Sequence, residues 1–339
     1  MGKLLFIILF FLSLTSCKKK EFKTKDHFFI ENDGAIMPVS VKGNFESKVI
    51  VLFLHGGPGG NASQASFLPA FKNLEENYAV AYWDQRASGL SQGNPDKSTF
   101  TIEKFIEDLD LVIQSLNTRY SGFKIFLFGH SWGGALGSAY LSTNSFQDKI
   151  SGFICMNSGH NLELGLPLSV EWVKEYANQQ IIDGNYIDYW DKVYKWCVTN
   201  PDMTNPDNYF KYVDYLKETD AYRHNNKQVN TGKVSAKDVL NSNMSLAIFV
   251  GGRYLSQNFN ILELNLSSKM NIIQIPSLVI WGKHDGVNTL EMGYDAYNSI
   301  GTSPEKKEFI ILNNSAHEGY LEEPEIFKSA IINFVEKYK

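Results

Sequence analysis

The chain has 339 residues, of which 43% are hydrophobic and 20% are charged, and its net charge at pH 7 is −5. These values are typical of a globular protein that is long enough for one large core with an inserted lobe. No basic stripe recurs along this acidic chain, so the composition argues against a nucleic-acid-binding protein. Aromatic residues make up 14% of the chain, and many of them lie between residues 172 and 222.

Residues 1–16 are predicted to be a signal peptide. A short positive start is followed by Leu4–Leu14, an apolar run that is too short to span a bilayer as a helix. The run ends in Leu14-Thr-Ser-Cys17, which resembles the bacterial lipoprotein signal, in which a small residue precedes a cysteine that becomes lipidated. The resemblance implies a lipidated Cys17 and a location in the bacterial cell envelope, with the folded domain outside the cytoplasm. The alternative is an ordinary secretory signal.

A lysine-rich tether is predicted over residues 17–26, and the folded core begins at residue 27. Beyond the tether, apolar β-branched runs alternate with helical patterns, which favours a mostly parallel sheet with helices on both faces. The predicted strands are Val49–Leu54, Tyr78–Trp83, Lys124–Phe128, Ile150–Met156, Ser277–Trp281 and Glu308–Leu312. The predicted helices cover residues 101–120, 135–141, 289–300 and 324–338, the first of them with Thr101 as its N-cap.

Residues 161–270 interrupt this alternation with aromatic, polar and helix-rich sequence. We therefore predict a helical cap inserted between the core segments 27–160 and 271–339. Cys155 and Cys197 are expected to be isolated thiols rather than a disulfide. The chain has no metal-ligand spacing, so neither a metal nor another cofactor is expected.

The most informative stretch is Lys124–Gly134, in which an apolar strand leads into Gly129-His-Ser-Trp-Gly133 and then into a helix. This context fits the G-x-S-x-G nucleophile elbow, a tight turn that lifts a serine hydroxyl to the tip of a sheet. Two glycines give the turn the room that it needs, and the serine between them can take a strained backbone conformation. Ser131 is therefore the predicted nucleophile.

A catalytic serine needs a base within hydrogen-bond reach and a carboxylate that orients the base. Asp285 and His317 each follow a predicted strand, so they lie at the edge where open α/β sheets place their sites. The chain order Ser131, Asp285, His317 is that of the α/β-hydrolase fold. We predict this fold, with His317 as the base and Asp285 as its orienting carboxylate.

The oxyanion that forms during acyl transfer needs two backbone N–H donors. Trp132 follows the nucleophile and is expected to supply one of them. Gly57, in a glycine-rich turn after the first core strand, is the predicted second donor, with Gly56 as the alternative. Of the other histidines, His130 is expected to pack under the elbow, and His160 is a candidate for the pocket wall.

Three motifs together resemble the prolyl iminopeptidase family of α/β-hydrolases: His55–Gly59, Asp84–Ser91 and Gly129–Gly133. The resemblance is strong over residues 45–160 and moderate over residues 275–335. It implies a metal-independent serine peptidase that cleaves after an N-terminal proline or small apolar residue. The chain departs from the family motifs in two places. Ala87 stands where the family usually has a glycine, and the elbow reads Gly-His-Ser-Trp-Gly-Gly, which is closer to esterases and lipases of the fold.

The same resemblance assigns Gly57 and Trp132 to the oxyanion hole. It also implies that Asp84 and Arg86 form a structural knot of ion pairs and hydrogen bonds near the site.

An aminopeptidase also needs acidic groups that hold the ammonium group of its substrate. The nearest candidates in the cap are Glu163, Glu171 and Glu175. The expected activity is release of N-terminal proline or small apolar residues from short peptides through an acyl-enzyme. The alternatives are an esterase, lactonase or amidase for small apolar acyl substrates and, more remotely, a non-catalytic binding lipoprotein. The expected partners are a small-molecule or short-peptide substrate and, through Cys17, a membrane.

Overall fold

The computed structural model describes residues 25–143, 146–200, 202–203, 205–226 and 261–339. The predicted signal peptide, the lipidation site and the tether up to residue 24 lie outside the described residues. The first strand begins at Lys25, so the last two residues of the predicted tether belong to the sheet instead. Within the described ranges, no helix is both long enough and apolar enough to cross a membrane.

The described residues form a nine-stranded sheet. Its strands are β1 (Lys25–Asn32), β2 (Ala35–Gly43), β3 (Val49–Leu54), β4 (Ala79–Trp83), β5 (Gln92–Gly93), β6 (Lys124–His130), β7 (Gly152–Met156), β8 (Ser277–Gly282) and β9 (Lys307–Leu312). Their order across the sheet is β1-β2-β4-β3-β6-β7-β8-β9, with β5 paired to β2. The six strands from β4 to β9 in this order run parallel, whereas β1, β2 and β5 pair antiparallel with their neighbours.

Helices cover both faces of the sheet, as the sequence predicted. The α-helices of the described residues, including those of the cap, are α1 (Ala62–Ala65), α2 (Pro69–Glu75), α3 (Ile102–Arg119), α4 (Trp132–Leu141), α5 (Leu162–Ile182), α6 (Ile187–Thr199), α7 (Pro206–Lys217), α8 (Leu290–Ser299), α9 (Gly319–Glu322) and α10 (Pro324–Tyr338). The first hydrophobic core packs α3, α4 and α8 on one face of the sheet. The second core packs α1, α2 and α10 on the other face.

One strand and one helix show why these elements form. All six residues of β3 are buried, because a central parallel strand is covered on both faces. In α3 the apolar residues recur at helical spacing and turn toward the core. The side chain of Thr101 accepts the Lys104 N–H at 3.3 Å and caps this helix at its start.

Helices α5, α6 and α7 pack around a separate hydrophobic core above the carboxyl edge of the sheet. This core includes Val173, Trp190, Val193 and Tyr212. The predicted cap ends at residue 270, but the chain rejoins the main core a few residues earlier. Leu266 and Met270 already pack in the main core, and the Met270 carbonyl accepts the N–H of Gly301 at 3.1 Å.

Arg86 lies in a fully buried ion pair, but its partner differs from the prediction. Its Nε and Nη2 atoms donate to the two carboxylate oxygens of Asp108 at 2.5 and 2.7 Å. Burial raises the pKa of Asp108, although the guanidinium opposes that rise. Asp84 instead accepts the N–H groups of Ala62, Ser63 and Leu90. The predicted single knot is therefore two separate networks.

Replacing Asp108 with Ala should leave the Arg86 charge buried and uncompensated. We expect the free energy of unfolding to fall by about 3–5 kcal/mol, measured by denaturant unfolding. Lys195→Ala is the control, because it removes an exposed ion pair with Asp191, and such pairs contribute less than about 1 kcal/mol. If both variants lost the same free energy of unfolding, the buried pair would contribute no more to stability than the exposed pair.

Candidate active site

Ser131 lies in the turn between β6 and α4, at the carboxyl edge of the sheet. Its φ is 56° and its ψ is −121°, a conformation that is strained for a residue with a side chain. The surrounding backbone fixes this conformation. The Ser131 N–H donates to the Met156 carbonyl at 3.0 Å, and the Ser131 carbonyl accepts the N–H groups of Gly134 and Gly159 at 2.9 and 3.2 Å.

The glycines of the elbow are required by close backbone contacts. A Cβ atom at Gly133 would lie 1.9 Å from the carbonyl oxygen of Leu54, and a Cβ at Gly129 would lie 2.3 Å from that of Gly133. Any side chain at these two positions would separate α4 from the sheet. The G-x-S-x-G pattern therefore reflects the packing of this helix against β3 and β6.

His317 and Asp285 are joined by a hydrogen bond of 2.9 Å between Nδ1 and Oδ2. Asp285 follows β8, His317 follows β9, and both are buried. A carboxylate at Nδ1 fixes the imidazole tautomer, so Nε2 is left to accept a proton. Among the described residues, no hydrogen bond joins the Ser131 hydroxyl to His317. Such contacts are often loose in hydrolases without a substrate.

The Asp285 carboxylate is held by four hydrogen bonds. Its Oδ1 accepts the N–H groups of Val287 and Asn288, and its Oδ2 accepts from His317 and from the side-chain amide of Asn157. Asn288 in turn donates to the Asn157 carbonyl at 2.7 Å. Asn157 was not predicted as a site residue. Its only sequence signal is its position directly after β7.

Gln85 links the three motifs that resemble the prolyl iminopeptidase family. Its side-chain amide donates to the His55 carbonyl at 3.2 Å, and its Oε1 accepts the indole N–H of Trp132 at 2.8 Å. Its backbone N–H donates to His55 Nε2 at 3.2 Å. The glycine-rich loop and the elbow are therefore held at a fixed separation by a residue of the middle motif.

The two predicted oxyanion donors belong to two segments that meet at Ser131, the start of α4 and the glycine-rich loop after β3. Trp132 begins α4, and a helix N-terminus favours negative charge. A Cβ at Gly56 would lie 3.2 Å from the Ser131 Cβ, so the glycine-rich loop packs against Ser131. Gly57 has a φ of 127°, and a Cβ there would lie 2.7 Å from the amide nitrogens of Gly59 and Gly60.

A segment of the cap, residues 221–224, bonds to the loops that carry Asp285 and His317. The Ala221 carbonyl accepts the N–H of Gly286, and the Tyr222 carbonyl accepts the N–H of Glu318. The Tyr222 ring meets the His317 ring edge-on at 5.9 Å. The His224 ring stacks on the His284 ring at 3.7 Å. Tyr222 was not predicted as a site residue, because only the fold brings it to His317.

Residues 49–324 match the family model described as the alpha/beta hydrolase fold. The chain belongs to this family. It is 26% identical to "Probable aminopeptidase YbaC" of Bacillus subtilis over 304 residues, which cover 83% of this chain and 87% of that protein. It is 24% identical to "Proline iminopeptidase" of Thermoplasma volcanium over 310 residues, covering 86% and 90% of the two chains. These matches confirm the predicted resemblance, and the protein is a hydrolase.

The fold of this hydrolase is also similar to solved structures. The proline iminopeptidase of Mycobacterium smegmatis superposes with a TM-score of 0.66 at 18% identity, covering 92% of this chain and 98% of the other. The predicted α/β-hydrolase fold is therefore confirmed by a family model and by structural comparison together.

The described contacts of His160 do not include Ser131, Asp285 or His317, and its place in the pocket wall stays a prediction. The side chain is completely buried. Its Nε2 atom lies 2.9 Å from Asp295 Oδ2, and its Nδ1 atom lies 3.3 Å from the Ser158 carbonyl oxygen. With both ring nitrogens engaged, His160 ties the start of the cap to α8.

The three cap glutamates lie on α5 and are exposed. Glu163 and Glu171 line a cavity of about 730 Å³, and neither Glu175 nor any of Ser131, Asp285 and His317 lines it. Glu163 accepts from the Asn265 amide, and Glu171 pairs with Lys174 at 2.6 Å. The contacts of the described residues therefore do not bring these glutamates to the predicted triad.

His130 packs directly against the predicted base. Its Nε2 donates to the His317 carbonyl at 2.9 Å, and its ring lies 4.8 Å from the His317 ring and 5.1 Å from the Tyr320 ring. Burial, with a smaller contribution from His317, lowers the pKa of His130 from 6.5 to about 3. The ring therefore stays neutral over the working range of most hydrolases.

This pKa shift should make the hydrolase less stable in acid. Below pH 6.5 the unfolded chain binds a proton at His130, whereas the folded chain binds it only near pH 3. The free energy of unfolding therefore falls as the pH is lowered from 6.5 to about 3. We expect His130→Gln, which keeps an N–H donor, to show a shallower fall between these two pH values. Denaturant unfolding at several pH values measures the slope, and an unchanged slope would contradict the assignment.

Proposed function

We propose that this hydrolase is a serine hydrolase that acts through an acyl-enzyme. The observation that carries the proposal is the hydrogen bond between His317 and Asp285, beside a serine held in a strained elbow. Strained backbone at a loop that follows a strand is common where a side chain must be presented to a substrate. The chain order and the strand ends are those of the α/β-hydrolase triad.

In the proposed mechanism, the Ser131 hydroxyl attacks the substrate carbonyl while its proton passes to His317 Nε2. Asp285 stabilises the imidazolium that forms, and the N–H groups of Gly57 and Trp132 donate to the oxyanion. The imidazolium then gives its proton to the leaving amine or alcohol as the carbonyl–leaving-group bond breaks. Water then attacks the acyl carbonyl and gives a proton to His317. As the bond between the acyl group and Ser131 Oγ breaks, the imidazolium returns that proton to Oγ and the acid product leaves.

For the substrate, we propose short peptides with an N-terminal proline or small apolar residue. The support comes from the three shared motifs and from relatives named aminopeptidase or proline iminopeptidase across more than four-fifths of this chain. An esterase, lactonase or amidase is the second candidate. It is favoured by the observation that Glu163 and Glu171 line a cavity without the triad, where they offer no direct partner for a substrate ammonium group.

Ser131→Ala should abolish covalent labelling by a fluorophosphonate, because only an activated serine attacks this probe. We expect turnover to fall by about six orders of magnitude. Ser121→Ala is the matched control, since Ser121 is exposed on a distant loop. A wild-type chain that stays unlabelled would instead favour a non-catalytic binding protein.

Arylamides and esters separate the two substrate classes. An aminopeptidase should cleave proline or alanine arylamide and should fail on the N-acetylated alanine arylamide, because acetylation removes the ammonium charge. Rates on short p-nitrophenyl esters provide the comparison. Ester turnover without arylamide cleavage would exclude the aminopeptidase and leave the esterase.

We also propose that the mature chain is anchored to a membrane through lipidated Cys17, which lies outside the described residues. The support is the apolar run that ends at Cys17 and the lysines that follow it. More than one acyl chain gives stable anchoring, at about 0.8 kcal/mol per buried methylene. Cys17→Ser should move the protein from the membrane fraction to the soluble fraction on centrifugation, and unchanged partition would contradict the anchor.

A further inference from the structure

The chain enters the fold at the edge of the sheet that lies opposite the catalytic edge. In the strand register, Lys25 of β1 lies opposite Lys42 of β2, and Lys42 lies opposite Val80, near the start of β4. Because β4 runs parallel to β3, β6, β8 and β9, the amino ends of all these strands lie at the same edge. Ser131, Asp285 and His317 follow the other ends of these strands.

The length of chain between Cys17 and Lys25 limits how the domain can face a membrane. Eight residue steps reach at most roughly 28 Å. The seven residues of β6 span roughly 20 Å, and the cap adds at least one helix diameter of roughly 10 Å above the catalytic edge. A chain that brought the cap to the bilayer would also have to pass around the domain. The tether is therefore too short for that orientation.

Exposed lysines lie at the amino edge. They are Lys25, Lys48, Lys124 and Lys306, and among the described residues none of them forms a salt bridge, although Lys306 interacts electrostatically with Glu305. We call these four residues the amino-edge lysine face. The segment from Cys17 adds four more lysines. Residues 161–270, the predicted cap, carry thirteen acidic side chains against eleven basic ones, a net charge of −2.

We propose that the amino-edge lysine face rests on an anionic lipid surface, so that Ser131 opens away from the bilayer. This inference rests on the lipid anchor at Cys17 and on the hydrolase activity proposed above. Anionic lipids attract basic segments close to the surface, and the cap offers no such excess of basic side chains. The substrate then arrives from the aqueous side, which indicates soluble peptides or esters rather than lipids of the same bilayer.

Quenching by spin-labelled lipid headgroups tests this orientation. The acylated full-length chain is reconstituted in vesicles that contain phosphatidylglycerol, with a fluorophore on Ser121→Cys at the amino edge or on Asn178→Cys in the cap. Both positions are exposed, whereas Cys155 and Cys197 are buried. We expect strong quenching at position 121 and little at position 178. Equal quenching at both, or the reverse order, would overturn the proposal.

The lysine face is tested separately by charge removal. In the unacylated Cys17→Ser chain at low salt, each lysine near an anionic surface should strengthen vesicle binding by roughly five-fold. Lys48→Gln, Lys124→Gln and Lys306→Gln combined should therefore weaken co-sedimentation strongly. The matched control combines Lys192→Gln, Lys195→Gln and Lys211→Gln in the cap. An equal effect of the two triple variants, or no effect of the first, would remove the lysine face from the proposal.

The orientation and the proposed activity fail in different ways. Quenching and sedimentation need no turnover, so they decide the orientation even if the chain cleaves no substrate. In the same vesicles, we expect a soluble p-nitrophenyl ester to be hydrolysed and a fluorogenic phospholipid in the bilayer to be left intact. Cleavage of that phospholipid at the rate of the soluble ester would contradict an active site that faces away from the membrane.

Discussion

The site depends on one backbone constraint, the left-handed conformation of Ser131. A strained residue of this kind costs about 1–3 kcal/mol and persists only when its surroundings fix it. Here the Met156 carbonyl holds the N–H of the serine, and Gly159 holds its carbonyl. The contact between Gly133 and Leu54 brings α4 down onto the sheet, which closes the turn. The elbow is therefore stabilised by the two strands beside it, β3 and β7, more than by its own sequence.

The polar groups behind the elbow extend the same principle to the loops around it. Gln85 bonds to both the glycine-rich loop and the indole of Trp132, so it fixes the spacing between that loop and the elbow that carries Ser131. Beneath it, Arg86 and Asp108 form a buried pair that ties the middle motif to α3. Breaking such a pair leaves an uncompensated charge, which makes the whole loop sensitive to a single substitution. A positioning network of this kind supports precise geometry at the serine without contacting a substrate.

The cap is attached to the core where the proposed chemistry takes place. Residues 221–224 bond to the loops of Asp285 and His317, and Ser169 in α5 donates to the carbonyl of Gly286. Motion of the cap would therefore act directly on the orientation of the imidazole. The exposed Glu163 and Glu171 of α5 line a cavity that does not include the triad residues. The cap side chain that contacts His317 is the aromatic ring of Tyr222, not a carboxylate. This contrast is why the chemistry of the site is better supported than its substrate.

The sequence alone determined the central strands, the order Ser131, Asp285, His317 and the strand ends that carry them, because apolar periodicity and glycine spacing are local signals. The sequence analysis did not predict the β1–β2 hairpin, because most residues of β1 are exposed or half-buried and give a weak apolar pattern. Three sets of contacts are visible only in the folded structure: Arg86 pairs with Asp108, Asn157 and Tyr222 contact Asp285 and His317 respectively, and His160 bonds to Asp295. Side-chain partners far apart in the chain are chosen by how the layers pack, and no local pattern encodes that choice.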